Sequence, residues 1–212
     1  MCGRFELKTK YDSLPKILKE EIPPGLTSKY ETRNLIKPSD PVLVLKNEGK
    51  IEATFMYWGF ISPWAKDPFD KSTPRPFNAR SETVGEKKIF QSSWRYKRCL
   101  IPATGFFEKG FRIRKKNYGI FWLGGIWSRC FSNDGTELES CCVLTTEPNQ
   151  LVKPLHSRMP VVIPNGAEEL WTENIKNADE LKRLIPMIKG WSPADWLVEE
   201  LNDSCIKQMS LF

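Results

Sequence analysis

The chain has 212 residues, 40% hydrophobic and 27% charged, which is long enough to bury a substantial core and excludes a disordered or fibrous class. The formal net charge of +6 permits a polyanionic partner without requiring one. No apolar run reaches the length of a membrane span, the richest being "GIFWLGGIW", and the N-terminus lacks the basic-then-apolar order of a signal peptide, so a cytoplasmic protein with no membrane partner is expected.

In chain order, "DSLPKILKEE" reads as the start of a helix, with Asp12 or Ser13 as N-cap and Pro15 in the first turn. "PPGL" then breaks the chain. "PVLVLKNEGKIEATFMYWGF" reads as two strands joined by a turn at Asn47 to Gly49. "SPWAKDPFDKSTPRPFNAR" is proline-rich and is expected to be a long loop, the kind of segment that often carries function. "FNARSET" reads as a turn into a helix with Ser81 as cap, and "GEKKIFQSSWRY" as a short amphipathic helix. "RCLIPATGFFE", "YGIFWLGGIW", "SCCVLTT" and "RMPVVIP" read as strands, and the basic run "RIRKKN" at 112–117 as a solvated hairpin tip. "AEELWTEN" and "ADELKRLIPMI" read as helices, the second interrupted by Pro186, while "SPADWLVEELNDSCIKQMSLF" fits helix or strand. Strands and helices mix without regular alternation, which favours an α+β fold with a largely antiparallel sheet. Neither a repeat nor an interdomain linker is visible, so one domain over 1–212 is expected.

There are six cysteines (Cys2, Cys99, Cys130, Cys141, Cys142 and Cys205), no C-x-x-C, and a single histidine, His156. That inventory is poor for a zinc site, so no metal and no cofactor are expected, and most of the thiols read as buried small hydrophobes. Cys2 differs because loss of Met1 would make it an N-terminal aminothiol. The bland alternative is an ordinary residue at a frayed end. Chemically, an α-amine with a pKa near 8 is partly neutral at pH 7 and attacks an aldehyde to form an imine. The neighbouring thiol then closes on the imine carbon to give a thiazolidine. The same residue also fits an N-terminal nucleophile that uses its own amine as base against an amide.

Glu108 follows an apolar strand, where burial would raise its pKa into a useful acid–base range; a surface strand end is the alternative. His156 is the one histidine available for proton transfer near neutrality. Asn78 and Arg80 stand together in "FNARSET". Arg4, Arg80 and Arg158 each lie within two residues of a candidate site residue, and their planar forks suit phosphate. Trp64 is placed to stack on a base, whereas Trp58, inside an apolar strand, reads as core.

Taken in order, "MCGRF", "YWGFISPWAKD", "FNARSET", "RCLIPATGFFE" and "VLTTEPNQLVKPLHSRMPVVI" resemble the SRAP family, the SOS-response-associated peptidases understood as abasic-site processing proteins. The resemblance implies a compact α+β domain with a barrel-like core and a DNA groove. It further implies removal of Met1, with a self-directed peptidase step as one route, and a covalent bond from Cys2 to the ring-opened sugar of an abasic site in single-stranded DNA. Asn78 would hold the N-terminal segment or the linkage, Glu108 would move protons during imine formation and exchange, and His156 would help open the sugar. Arg4, Arg80 and Arg158 would grip phosphates, with Thr145 as a lesser contact. A monomer is implied, at the nucleoid if the host is bacterial. The chain departs from the family's usual Tyr-Asn-x-Ala-Pro stretch, reading "TRNLIKPSD", where Asn34 and Pro38 stand as counterparts, and it carries Lys109 where the family has an aromatic. Two other classes stay open on the residues alone: an N-terminal-nucleophile amidohydrolase or cysteine peptidase, and a non-catalytic single-strand binder.

Overall fold

The computed structural model describes residues 2–202; Met1, whose removal is expected, Cys205 and the end of the closing segment lie outside the described residues. The strands are β1 (Phe5–Leu7), β2 (Arg33–Ile36), β3 (Pro41–Asn47), β4 (Ile51–Trp58), β5 (Asn78–Arg80), β6 (Arg98–Ala103), β7 (Gly105–Glu108), β8 (Phe111–Lys115), β9 (Phe121–Phe131), β10 (Glu137–Thr146), β11 (Met159–Pro160), β12 (Val162–Ile163) and β13 (Trp196–Glu200). The helices are α1 (Lys16–Glu21), α2 (Pro24–Thr27), α3 (Lys88–Tyr96), α4 (Glu168–Thr172), α5 (Ala178–Lys182) and α6 (Ile185–Ile188).

The strands build two sheets. In the larger, β4, β3, β6, β9 and β10 pair in sequence, and β10 returns to β4, closing a five-stranded barrel; β5, β11 and β12 attach to its rim. The smaller runs β13-β8-β7-β1-β2, antiparallel throughout. This is the expected α+β class with a largely antiparallel, barrel-like core. The exceptions are the barrel's closing pair, β10 with β4, and the pair β10 with β5, both parallel.

The run "RCLIPATGFFE" links the sheets. It serves the barrel as β6, bends at Thr104, and continues in the outer sheet as β7. Thr104 marks the switch with its backbone: its N–H donates to Glu6 O at 2.8 Å, while its hydroxyl accepts from Lys8 N at 3.0 Å. Trp58, Trp127 and Trp171 are fully buried. Trp58 Nε1 donates to Phe77 O at 2.9 Å and so fastens the end of the long 62–77 loop to the barrel. In β9 a Cβ on Gly125 would lie 2.8 Å from Cys142 O, so the glycine permits the close approach of β10.

Several local expectations are corrected. Asp12 and Ser13 form a 3-10 turn and do not cap α1; Leu14, ahead of a proline, is held extended, and Pro15 starts the helix from outside. "PPGL" does not break the chain but opens α2: Pro23 is its N-cap and Pro24 its first residue, where a missing N–H costs nothing. "FNARSET" enters no helix: Asn78–Arg80 is a strand, because β10 offers it a parallel partner at Val143 to Thr145. Pro186 lies in the first turn of a separate α6 and interrupts nothing. Within the closing segment Trp196–Glu200 is strand β13. Of "RIRKKN" only Lys116 and Asn117 form the expected exposed turn. Arg112 and Arg114 lie in β8, where Arg112 pairs with Glu6 and Glu199, and Arg114, 3% exposed, pairs with Glu199. Among the described residues no helix is long and apolar enough to cross a membrane.

Candidate active site and anion clefts

The outer sheet delivers the N-terminus to the site. In β1, Phe5 pairs with Ile36 of β2 on one side and Phe106 of β7 on the other. Both neighbours run antiparallel, so the residues preceding Phe5 lie beside those following Ile36 and Phe106. Phe107 N donates to Arg4 O at 2.9 Å, continuing the ladder towards Glu108. By the same register Lys37 and Pro38 reach the opposite flank. Together Gly3, Arg4, Lys37, Pro38, Phe107 and Glu108 line an open cleft of about 420 Å³, completed by Phe77 and Lys109.

Cys2 is wholly buried at this end of the sheet and is no frayed terminus. Burial, reinforced by the charge of Glu108, pushes its thiol pKa far above the ordinary value, so the thiol stays protonated at neutral pH. Asn78, fixed by the pairing of β5 with β10, donates from Nδ2 to Cys2 O at 3.0 Å. Glu108, at the last position of β7 before a two-residue turn, is 7% exposed. Burial raises its pKa above the ordinary carboxylate range, and His156 lies near enough that its protonated form would work against that rise.

His156 arrives on the segment after β10. Its N–H donates to Val152 O at 2.9 Å, and its Nδ1 accepts from Arg158 N at 3.0 Å. An Nδ1 that accepts carries no proton, so the neutral ring holds its proton on Nε2. Four chain-distant side chains, Cys2, Asn78, Glu108 and His156, therefore converge at one end of the outer sheet.

The expected phosphate contacts divide. Arg4 and Arg80 are exposed. Arg158 holds Glu82 with both arms, at 2.8 and 2.7 Å, and donates to Thr145 O at 2.6 Å. Thr145 is fully buried and meets the site through Arg158, not through solvent. Pro38 lines the cleft. Trp64 is 63% exposed but lines a separate groove beside α3 with Trp94, Arg95 and Tyr96, sharing no residue with the clefts around Cys2 and His156. Trp58 is core, as expected.

Sequence reasoning passed over Lys37, Phe77, Phe107 and Glu82. The first three follow from strand register, which only the pairing reveals; Glu82 is visible as an acid next to Ser81, but nothing in one sequence ties it to Arg158.

A family model described as SOS response associated peptidase (SRAP) matches residues 1–199. The chain is 34% identical over 191 residues to the abasic site processing protein YoqW of Bacillus subtilis (strain 168), covering 84% of this chain and 83% of the relative. It is 34% identical over 199 residues to the abasic site processing protein YoaM of the same strain, covering 87% and 85%. A crystal structure of a protein from Bacteroides thetaiotaomicron superposes with a TM-score of 0.82 at 21% identity, covering 97% of this chain and 94% of that one, a likeness of fold.

Proposed function

The chain belongs to the SOS response associated peptidase (SRAP) family, and from that premise we propose that it processes abasic sites in single-stranded DNA by bonding covalently to them through Cys2. The observation that carries this reading is the convergence of Cys2, Asn78, Glu108 and His156 beside a cleft whose rim includes Arg4 and Lys109. Relatives named abasic site processing proteins support it.

The chemistry starts with loss of Met1, which exposes the α-amine of Cys2. His156 donates from Nε2 to the ring oxygen of the sugar and helps free its aldehyde. The amine attacks the carbonyl carbon to give a carbinolamine, which loses water to form an imine. Glu108, a carboxyl made more basic by burial, carries the protons of these steps. The Cys2 thiol then adds across the C=N bond: sulfur bonds to carbon and the thiol proton moves to nitrogen. The net reaction joins an aldehyde and an aminothiol into a thiazolidine plus one water and needs no oxidant. Asn78 holds the Cys2 carbonyl so that amine and thiol face the carbonyl together.

Arg4, Arg80 and Arg158 position the phosphates without reading sequence, with Pro38 against a sugar or base beside the lesion and Trp64, in its separate groove, against a base farther along the strand. Because Cys2 is buried at the cleft end, a flexible single strand reaches it where a duplex is obstructed. A thiol whose pKa burial raises is poorly suited to a thiolate peptidase acting on outside substrates.

The test is a denaturing gel of the protein with a single-stranded oligonucleotide bearing one abasic site, alongside intact mass of the protein. A band that survives denaturation and a mass lacking Met1 are expected. Cys2→Ala is expected to abolish the heat-stable adduct and leave at most a reducible imine. An undiminished stable adduct in that variant overturns the thiazolidine, and capture by protein that retains Met1 overturns the whole scheme.

A further inference from the structure

A second open cleft, of about 540 Å³, lies beyond the first and is lined by Lys109, Glu147, Lys153, Leu155, His156 and Ser157 among others. The two clefts share Lys109. This lysine occupies the two-residue turn between β7 and β8, at φ +47, with Gly110 at φ +85. Positive φ at both positions gives the mirror-image turn that matches strand twist. It fixes the lysine directly after Glu108, on the ridge between the clefts.

Lys153 is placed just as firmly. Asn149 Oδ1 accepts from Leu151 N and Val152 N, each at 3.1 Å, and Lys153 N donates to Asn149 O at 2.9 Å. Both lysines are exposed, and among the described residues neither forms an ion pair. Glu147 faces the same cleft and opposes them.

We propose that this cleft is a phosphate subsite: it takes the phosphodiester next to the lesion on the His156 side, between Lys109 and Lys153, so that the strand crosses the Lys109 ridge from one cleft to the other. The inference deepens the single-strand reading given above and rests on it. Two ammonium groups on hydrogen-bonded turns, without an ion pair and lining the cleft that His156 also lines, suit a flexible polyanion that must pass the reacting centre. Glu147 tempers the affinity, and its removal is expected to strengthen binding.

The experiment uses the full chain and a single strand whose abasic sugar is chemically reduced, so that binding is read without crosslinking. Lys153→Ala is expected to weaken binding roughly threefold to tenfold and to flatten log K against log salt by about 0.7, the release from one single-strand phosphate. Glu147→Gln is expected to tighten binding. Replacing one phosphate at a time by an uncharged methylphosphonate locates the contact. At one linkage adjoining the lesion, wild type and Lys153→Ala become equal; at the linkage on the other side, their difference remains. Unchanged affinity and slope in Lys153→Ala, or a difference that persists whichever linkage is neutral, overturns the subsite. If wild type crosslinks an unreduced abasic strand while these results fail, the subsite alone falls; if wild type neither binds nor crosslinks, both readings fall.

Discussion

Two regions of the molecule use the same cations in opposite ways. In the outer sheet and along the barrel wall, cations are buried against acids: Arg112 against Glu6 and Glu199, Arg114 against Glu199, and Lys46, 2% exposed, against Glu52 at 2.7 Å and Glu139 at 2.6 Å with its ammonium 4.4 Å from the Trp127 ring centroid. Arg4, Lys109 and Lys153 at the clefts, and Arg80 at the end of β5, are exposed and form no ion pair among the described residues. A net charge does not distinguish these groups, but the partner does. A cation already neutralised inside the fold has its desolvation offset by that acid and cannot exchange it for a phosphate without leaving the acid buried alone. A cation on a turn at a cleft rim has only water to give up.

The comparison is tested hardest on its buried side. Arg112→Met leaves Glu6, wholly buried, with Lys8 at 3.1 Å as its ion-pair partner. Breaking a buried pair typically costs about 3–5 kcal/mol, so a drop of that size is expected in urea or thermal unfolding. The crosslinking rate per folded molecule is expected to stay at the wild-type level. If stability holds and DNA capture fails, the two regions are not separate.

Glu108→Gln sits on the boundary, since Glu108 is buried like the first group and belongs to the site. Loss of a general acid–base group is expected to slow adduct formation by about 10²-fold or more in a single-turnover time course. Its effect on stability has the opposite sign. Burial raises the folded-state pKa above the ordinary 4.5, so the stability this carboxyl contributes is present at acid pH and is lost as pH rises through the raised value. Glu108→Gln is therefore expected to gain on wild type in unfolding midpoint as pH rises above the ordinary carboxylate value. An unchanged rate removes the proton-transfer role, and a pH-independent stability difference removes the buried ionisation.

Arg158 is the intermediate case, a cation beside His156 that an acid already holds. The pair with Glu82 is bidentate but open to water on the Glu82 side, and screening keeps its worth to about 1 kcal/mol or less. Glu82→Gln is expected to cost that much stability and to tighten single-strand binding about threefold, because a phosphate no longer competes with a carboxylate for the fork. Weaker binding in this variant would mean that Glu82 orients the guanidinium for DNA.

How much of this was legible in the sequence depended on whether the cause was local. The hairpin at Asn47 to Gly49 carries its own turn chemistry, with Gly49 at φ +93 and its N–H donating to Asn47 Oδ1 at 3.1 Å, and it formed as read. Cys2, Glu108 and His156 each carried a chemical signal of their own type and position. Asn78 as a strand did not: only the parallel neighbour β10, which no local pattern announces, keeps it from a helical start. The arginines of "RIRKKN" departed from a solvated tip for the same reason, since the acids that pair with Arg112 and Arg114 lie at Glu6 and Glu199, at opposite ends of the described chain. Lys109 was visible only as a departure from the family pattern; its place between two clefts depends on the turn that follows Glu108.

The smallest expected effect belongs to Arg80. It ends β5 beside Thr145 of β10, and its side chain is exposed. Its backbone serves the fold, with Arg80 O accepting from Thr83 N at 3.2 Å, and Arg80→Ala keeps that bond. Stability is therefore expected to stay within about 0.5 kcal/mol of wild type. Binding to a reduced abasic strand is expected to weaken, with the salt slope falling by about 0.7. That pairing of an intact fold with a lost counterion is the reverse of Arg112→Met. An unaltered slope would move the phosphate contact to another rim cation, and a large loss of stability would place Arg80 with the buried group.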